Sequence, residues 1–394
     1  MLKIKLWVSC VFLIWTHSAA QTSGIDQVLR QVEQNNRLLK VLASENEARS
    51  LALATRNNLS DPVLSGFYLP WGEHNTADYY EFQIDQRFEF PSVYAARGRL
   101  IEAQRAQQAW RYASERQQVL LDAATLCYEL IYMRKKLILK QTRLEQARLL
   151  FERTERLFAK DEVDALEMNK AKVVWLQLQF DLEHLKSQQQ QQQLKLREMN
   201  GGKSIQFELS EYPEDAQLPA PDSLWQAHLS ADPSLAKTRQ HRTVAQRAVS
   251  VSRRQGLPDL LIGMNYQGVA SSYYYGVYAG ISIPIWSNRN QLKAAKAELS
   301  LVDLEYAQAL SQARMTFEQQ LADYRFQLER YKTYQQTIEN LESEKLLRKA
   351  YVAGEITYIE YYMERQFYHD AYDHLLLQEK RLHLLRTQLL KHEL

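Results

Sequence analysis

The sequence predicts a mainly α protein with a small β part, built from two copies of one unit: helix, β-hairpin, long helix, turn, helix. Three observations carry this reading. Turn-formers are scarce, since 12 glycines and 9 prolines make up about 5% of the 394 residues, against roughly 12% in average usage. Pro91 and Pro284, 193 residues apart, each close a segment of alternating polarity and open a long proline-free stretch. The stretches after them are rich in Gln, Leu, Ala, Glu, Arg and Lys, all good helix formers. With 45% hydrophobic and 24% charged residues the chain is no disordered polyelectrolyte. Two cysteines exclude a disulfide scaffold and a cysteine-built zinc site.

Residues 1–20 read as a secretory signal peptide. Lys3 and Lys5 precede an apolar run from Leu6 to Trp15, and small residues lead to a cut after Ala20. About ten apolar residues are too few to span about 30 Å of hydrocarbon. Cys10 lies inside this run, where lipidation is not expected. Removing both lysines takes the formal charge from +2 to 0, which points to no nucleic-acid partner. Cys127 is then the one cysteine left, so no internal disulfide can form. No later stretch reaches eighteen consecutive apolar residues. The remaining chain is therefore expected to be periplasmic, secreted, or in the outer membrane by way of strands.

The first unit covers 21–202, with its hairpin at about 61–90. The second covers 223–394, with its hairpin at about 257–284. Between them, Gly201-Gly202 stop a helix, and Pro213, Pro219 and Pro221 hold an extended linker at 203–222. Leu38 after Asn35-Asn36 matches Leu235 after Asp232-Pro233-Ser234 at an offset of 197. Asp61-Pro62-Val63-Leu64 resembles Leu257-Pro258-Asp259-Leu260 at 196, and Glu162–Glu167 lines up with Glu355–Glu360 at 193. The drift means that the second hairpin is three residues shorter. The opening helices are expected at 25–56 and 223–254, the latter with Ser223-Leu-Trp-Gln226 as a capping box.

A helix over about 92–158 would be about 100 Å long at 1.5 Å per residue, so it must project from any compact body. Leu144, Ala147, Leu150, Thr154 and Leu157 recur at steps of three or four. Leu321, Tyr324, Leu328, Tyr331 and Ile338 do the same in the second unit, with Gln335 at a skipped position. Sustained seams of this kind indicate coiled-coil packing. The glutamine run 188–193 reads as a solvated helix face.

In the strands, Tyr80, Phe82, Ile84, Phe88 and Phe90 alternate with Tyr79, Glu81, Gln83, Asp85, Arg87 and Glu89, with Gln86 as the exception. Leu260, Ile262, Met264 and Tyr266 alternate with Leu261, Gly263, Asn265 and Gln267. Tyr275, Val277, Ala279, Ile281 and Ile283 alternate with Tyr274, Gly276, Tyr278, Gly280 and Ser282. These lengths cross a bilayer when tilted. Tyr79, Tyr80, Tyr273–Tyr275, Trp71, Phe90 and Trp286 gather at their ends like the girdles of an outer-membrane barrel. Four strands cannot close, and an open edge is not tolerated in lipid, so several chains must share one barrel. Three chains would give twelve strands, although that number does not follow from sequence.

Two such units closely resemble the TolC family of outer-membrane efflux channels. The most specific part is Tyr351-Val-Ala-Gly354-Glu-Ile-Thr-Tyr-Ile-Glu360, with Ala159-Lys-Asp161-Glu-Val-Asp-Ala-Leu-Glu167 as its first-unit counterpart. The resemblance implies a homotrimer, with a twelve-stranded barrel in outer-membrane lipid continued by a twelve-helix periplasmic tunnel. It also implies a periplasmic adaptor and an inner-membrane pump as partners. The turns at Gly354 and Asp161 would lie at the periplasmic tip and meet the adaptor. The family's gate carries acidic residues six and nine positions after the turn glycine. Here these positions hold Glu360, whose three copies could form one ring, and Met363, which departs from the pattern. Tyr351 matches a gate tyrosine, while Ile356 stands where a basic partner is expected. Gly354 suits a tight turn at positive φ, and Asp161 tolerates the same region.

No nucleophile elbow, phosphate-binding glycine loop or His-Glu-x-x-His occurs, so a passive duct rather than an enzyme is expected, with no cofactor. The best metal candidate, His369-Asp370-Ala-Tyr-Asp373-His374, reads instead as an i,i+4 pair of Asp370 and His374 on an exposed helix. The alternative to a channel is a soluble periplasmic coiled-coil scaffold or adaptor.

Overall fold

A computed structural model describes residues 24–70, 78–213, 218–269, 272–339 and 343–394. The expected signal peptide at 1–20 and Trp71 lie outside the described residues. The elements, in order, are α1 (Gly24–Asn35), α2 (Arg37–Thr55), β1 (Val63–Leu69), β2 (Tyr79–Phe88), α3 (Pro91–Phe158), α4 (Ala165–Met199), α5 (Pro221–Ala231), α6 (Pro233–Arg254), β3 (Asp259–Val269), β4 (Ser272–Ser282), α7 (Gln291–Glu339), α8 (Ser343–Ala353) and α9 (Tyr358–Leu389).

The 68 residues of α3 span about 100 Å. Pro91 starts it at N1, where its missing N–H costs nothing. Arg97 pairs with Glu89 at 2.6 Å and so ties the first turn to the end of the strand. α3 packs along α4 and α6, and α7 along α6 and α9. The expected seams lie in these contacts: Ala147 and Thr154 are buried in the first, Tyr324 and Ile338 in the second, and Gln335 is half-buried.

Each half builds its own core. Val28, Val32 and Leu39 meet Ala124, Ile131 and Leu196 in one. Leu224 and Trp225 meet Phe317, Tyr324 and Leu389 in the other. The buried positions correspond: Val28 with Leu224, Val32 with His228 and Leu39 with Leu235 at an offset of 196, then Ala124 with Phe317, Ile131 with Tyr324 and Leu196 with Leu389 at 193. Leu235 thus matches buried Leu39 and not exposed Leu38, the expected counterpart.

Two details of the opening helices differ from expectation. Each is split in two. Asn36 interrupts the first, its side chain accepting from the Leu39 amide at 3.1 Å. Asp232 interrupts the second at the matching position, accepting from the Ser234 amide at 2.8 Å, with Pro233 at N1. A polar side chain that caps the following turn competes with continuation of the helix. Ser223-Leu-Trp-Gln226 is not a cap, because Pro221 already starts α5 two residues earlier and Ser223 lies inside it.

The four strands form one antiparallel sheet in the order β1-β2-β3-β4. Its registers pass the alternation through all strands, so rows such as Leu64, Ile84, Met264 and Val277 stand on one face. Gln83, Asn265 and Gly276 form a row on the other. Gln86, the exception in β2, donates to the Ser60 carbonyl at 2.7 Å and ties down the chain leading into β1.

Candidate functional site

The sheet has the properties of a wall between two solvents. On its apolar face Leu64, Phe82, Ile84, Met264, Tyr275 and Val277 are all exposed, with Val277 at 78%. A soluble domain rarely leaves so large a contiguous apolar patch bare. Aromatic side chains mark both ends: Tyr273, Tyr274 and Tyr275 near one, Phe90 and Trp286 near the other, all exposed. The polar face is internally hydrogen-bonded. Tyr79 and Gln83 both donate to Glu81 at 2.5 Å, and Tyr278 donates to Asp85 across the sheet. Two glycines permit close cross-strand approach: a Cβ at Gly268 would sit inside the Tyr80 ring, and one at Gly263 would meet Tyr278 and Asp85. Each tyrosine thus lies across a bare stretch of the next strand and covers its backbone. Among the described residues, the outer edges of β1 and β4 have no strand partner.

At the far end of the long helices are the two turns. Asp161 has φ 59° and Gly354 has φ 77°, both left-handed. Each turn is followed by a capped helix. Asp164 accepts from the Glu167 amide at 2.7 Å. Thr357 accepts from the Glu360 amide at 3.3 Å, while the Glu360 carboxylate accepts from the Thr357 amide at 2.8 Å. This reciprocal box defines Glu360: its Oε2 is turned onto its own helix end, and these hydrogen bonds hold its pKa below the usual carboxylate value. The sequence carries the local signal for this box as Thr357-x-x-Glu360. Met363 is exposed three residues further on.

Tyr351 is half-buried and stacks on buried Tyr361 at 4.8 Å between centroids. Arg153, from the end of α3, lies 5.5 Å from the centre of the Tyr351 ring, and Thr154 is hydrogen-bonded to its hydroxyl. Burial raises the pKa of this phenol. Tyr351 therefore has a basic neighbour, supplied by α3 rather than by the turn at Ile356. Only folding brings residues 153 and 351 together, so local spacing could not reveal it.

The histidine–aspartate segment of α9 does not form the expected pair. Asp370 accepts from Gln366 at 2.8 Å, and His374 is bonded to Gln378 at 2.9 Å. Asp373 pairs at 2.9 Å with Arg143, a buried guanidinium that also donates to the His369 carbonyl. Burial and the cations Arg143, Arg365 and Lys140 push His369 down to about 3. The four side chains are thus committed to separate neighbours along the helix, because each finds a closer partner one turn away or on α3.

A hairpin sheet with one apolar and one polar face, continued by long helices of which α3 reaches about 100 Å, defines the fold of the TolC-like outer-membrane channels. The comparisons with solved structures show the same. The chain is similar to CusC, described through its transmembrane channel formation, with a TM-score of 0.78 at 15% identity over 94% of this chain and 91% of that one. It is similar to the CmeC outer membrane channel of Campylobacter jejuni, with a TM-score of 0.77 at 13% identity over 94% and 85%. It is also similar to the outer membrane protein VceC of Vibrio cholerae, with a TM-score of 0.74 at 15% identity over 93% and 96%. No family model matches the chain, and no curated protein matches it in sequence.

Proposed function

We propose that this protein is the outer-membrane channel component of a tripartite efflux system. It acts as a passive export duct for small molecules or metal ions. It works with a periplasmic adaptor, and an inner-membrane pump supplies the energy. The carrying observation is the four-stranded sheet, apolar on one face, polar on the other and open at both edges. In lipid such edges must be paired, and copies of the same chain are the available partners. Three chains give a closed twelve-stranded barrel, within the range of outer-membrane barrels.

The helices support the same reading. On α4, Leu166, Val173, Phe180 and Leu194 fall on one heptad line and are all exposed. That is a coiled-coil seam facing water in the isolated chain. The chain exposes 26613 Å² in all, where a compact monomer of this mass would expose about 16,000 Å². Neighbouring copies would cover the seams and complete a helical tunnel. Its far end, at Asp161 and Gly354, would meet the adaptor, and Tyr351, Glu360 and Met363 would line its narrow part.

Fractionation tests the reading. The expected result is an outer-membrane oligomer that needs detergent for release, cross-links to a trimer and conducts ions in planar bilayers. A monomer released by osmotic shock would instead indicate a periplasmic scaffold.

A further inference from the structure

A groove of about 500 Å³ lies where the end of α3 meets α8 and α9. Arg153, Lys345, Arg348 and Arg365 converge on it around the stacked rings of Tyr351 and Tyr361. Leu149 and Val352 add apolar wall, and no carboxylate is among the described lining residues. Arg365 lies 5.4 Å from the centre of the Tyr361 ring, donates to Gln146 and is bonded to His369. Glu167 of α4 reaches Tyr351 electrostatically but is not part of the lining.

Among the described residues the groove cations are unpaired, unlike several other cations of the chain. Arg116 has Glu33, Lys135 has Glu379, Arg143 has Asp373 and Arg242 has Asp303. None of the four groove cations makes an ion pair among the described residues. The other half of the duplication sharpens the contrast. At the offset of 193, Lys345 corresponds to Glu152 and Arg348 to Glu155. Two carboxylates at the first tip are therefore two cations at the second. Like charges gathered without counter-ions repel one another, and an anion relieves that repulsion.

We propose that this groove binds a small amphiphilic organic anion, with a flat aromatic or aliphatic body and one carboxylate or sulfonate. The volume lies in the range of sites for drug-sized molecules. The apolar wall of Leu149, Leu150 and Val352 takes the body beside the tyrosine pair, and guanidinium groups take the oxyanion in bidentate fashion. An extended acidic helix fits less well, because the cations surround one aromatic floor instead of following a line. Since the lining comes from three helices, an occupied groove would pin α8 and α9 against α3. This site goes beyond the duct function, and it stands or falls separately from it.

The test is isothermal titration of the purified full chain, as its native assembly in non-ionic detergent. The probes are naphthalene-2-sulfonate, neutral naphthalene-2-methanol and a glutamate-rich peptide. Wild-type protein is expected to bind the sulfonate at one site per chain, more weakly as salt rises, and the alcohol at least about tenfold more weakly. Lys345→Gln/Arg348→Gln lies on an exposed face and should keep the fold, checked by circular dichroism, yet lose at least about tenfold in sulfonate affinity. Equal affinity of wild type and variant overturns the proposal, and so does absence of binding at millimolar sulfonate. Binding of the peptide but not of the sulfonate overturns it too, in favour of protein docking.

Discussion

Asp232 joins three parts of the second half, and its removal has a calculable cost. Its carboxylate caps α6 through the Ser234 amide at 2.8 Å. It meets His228 Nε2 at 3.1 Å and Lys391 Nζ at 3.0 Å, the latter from the C-terminal segment. The residue is 1% exposed. Loss of an aspartate N-cap costs about 1 kcal/mol. Breaking a fully buried ion pair costs about 3–5 kcal/mol, but Lys391 is part-exposed and can turn to water, so about 1–3 kcal/mol applies here. Asp232→Ala should therefore cost about 2–4 kcal/mol, and Asp232→Asn, which keeps the cap acceptor, about 1 kcal/mol less. For a chain of this length that is a fall in Tm of about 2–5 °C for the alanine variant. The assay is thermal unfolding in detergent, followed by circular dichroism at several pH values. The sign of the pH dependence is fixed: hydrogen bonds and Lys391 hold this carboxyl well below its usual range. Its stabilisation is complete above the unfolded carboxylate value of about 4 and is lost as pH falls below that value towards the folded one. An alanine variant within 1 °C of wild type at about pH 7, or one as stable as the asparagine variant, would refute this account of the junction.

Four further outcomes are expected. Glu360→Gln retains a capping-box acceptor but removes the charge, so single-channel recordings should show altered cation selectivity with unchanged Tm if three carboxylates ring the lumen; unchanged selectivity removes that role. Gly268→Val should abolish the assembled, detergent-resistant oligomer on a non-heated gel, because its side chain would occupy the place of the Tyr80 ring. His369, held near 3, stays neutral in the folded chain while the unfolded histidine protonates, so stability should fall as pH drops from about 6.5 towards 3, and His369→Gln should flatten that fall in Tm-against-pH curves. Cys127 is buried and its thiol is pushed up to about 12, so iodoacetamide at neutral pH should label it only after unfolding, as mass spectrometry would show.

Much of the architecture was written in patterns that survive without tertiary information. Proline at 91 and 284 cannot sit inside a helix, and a period of two over 79–88 cannot sit still as one, so the helix–hairpin order was legible. The split of the first opening helix was not, because Asn36 stands inside an otherwise continuous helical pattern; the split of the second was marked by Pro233, which the expected 223–254 helix ran through. At Asn36 only the capping geometry decides against continuation. The site was legible in part. Asp161 and Gly354 stand out locally, since their left-handed backbone is a property of single residues. The partnership of Arg153 with Tyr351 and the gathering of cations from α3, α8 and α9 depend on where 100 Å of helix ends, which no local period encodes.

The duplication separates what folds the chain from what the chain does. The two halves agree where burial and capping are at stake: Val32 with His228, Leu196 with Leu389, Asn36 with Asp232, Asp164 with Thr357, Glu167 with Glu360. They disagree at the tip, where Phe158 and Met168 of the first half face Tyr351 and Tyr361 in the second, and Glu152 and Glu155 face Lys345 and Arg348. Stability alone does not require such differences, since an aromatic or apolar side chain already fills the first-half positions. Both tyrosines add a hydroxyl, and both cations reverse a charge, within one groove. Packing favours interchangeable volumes, whereas recognition favours polar groups and charge at the same volume. The two tips differ within the proposed anion groove, so the first tip is the internal control against which variants of the second can be read.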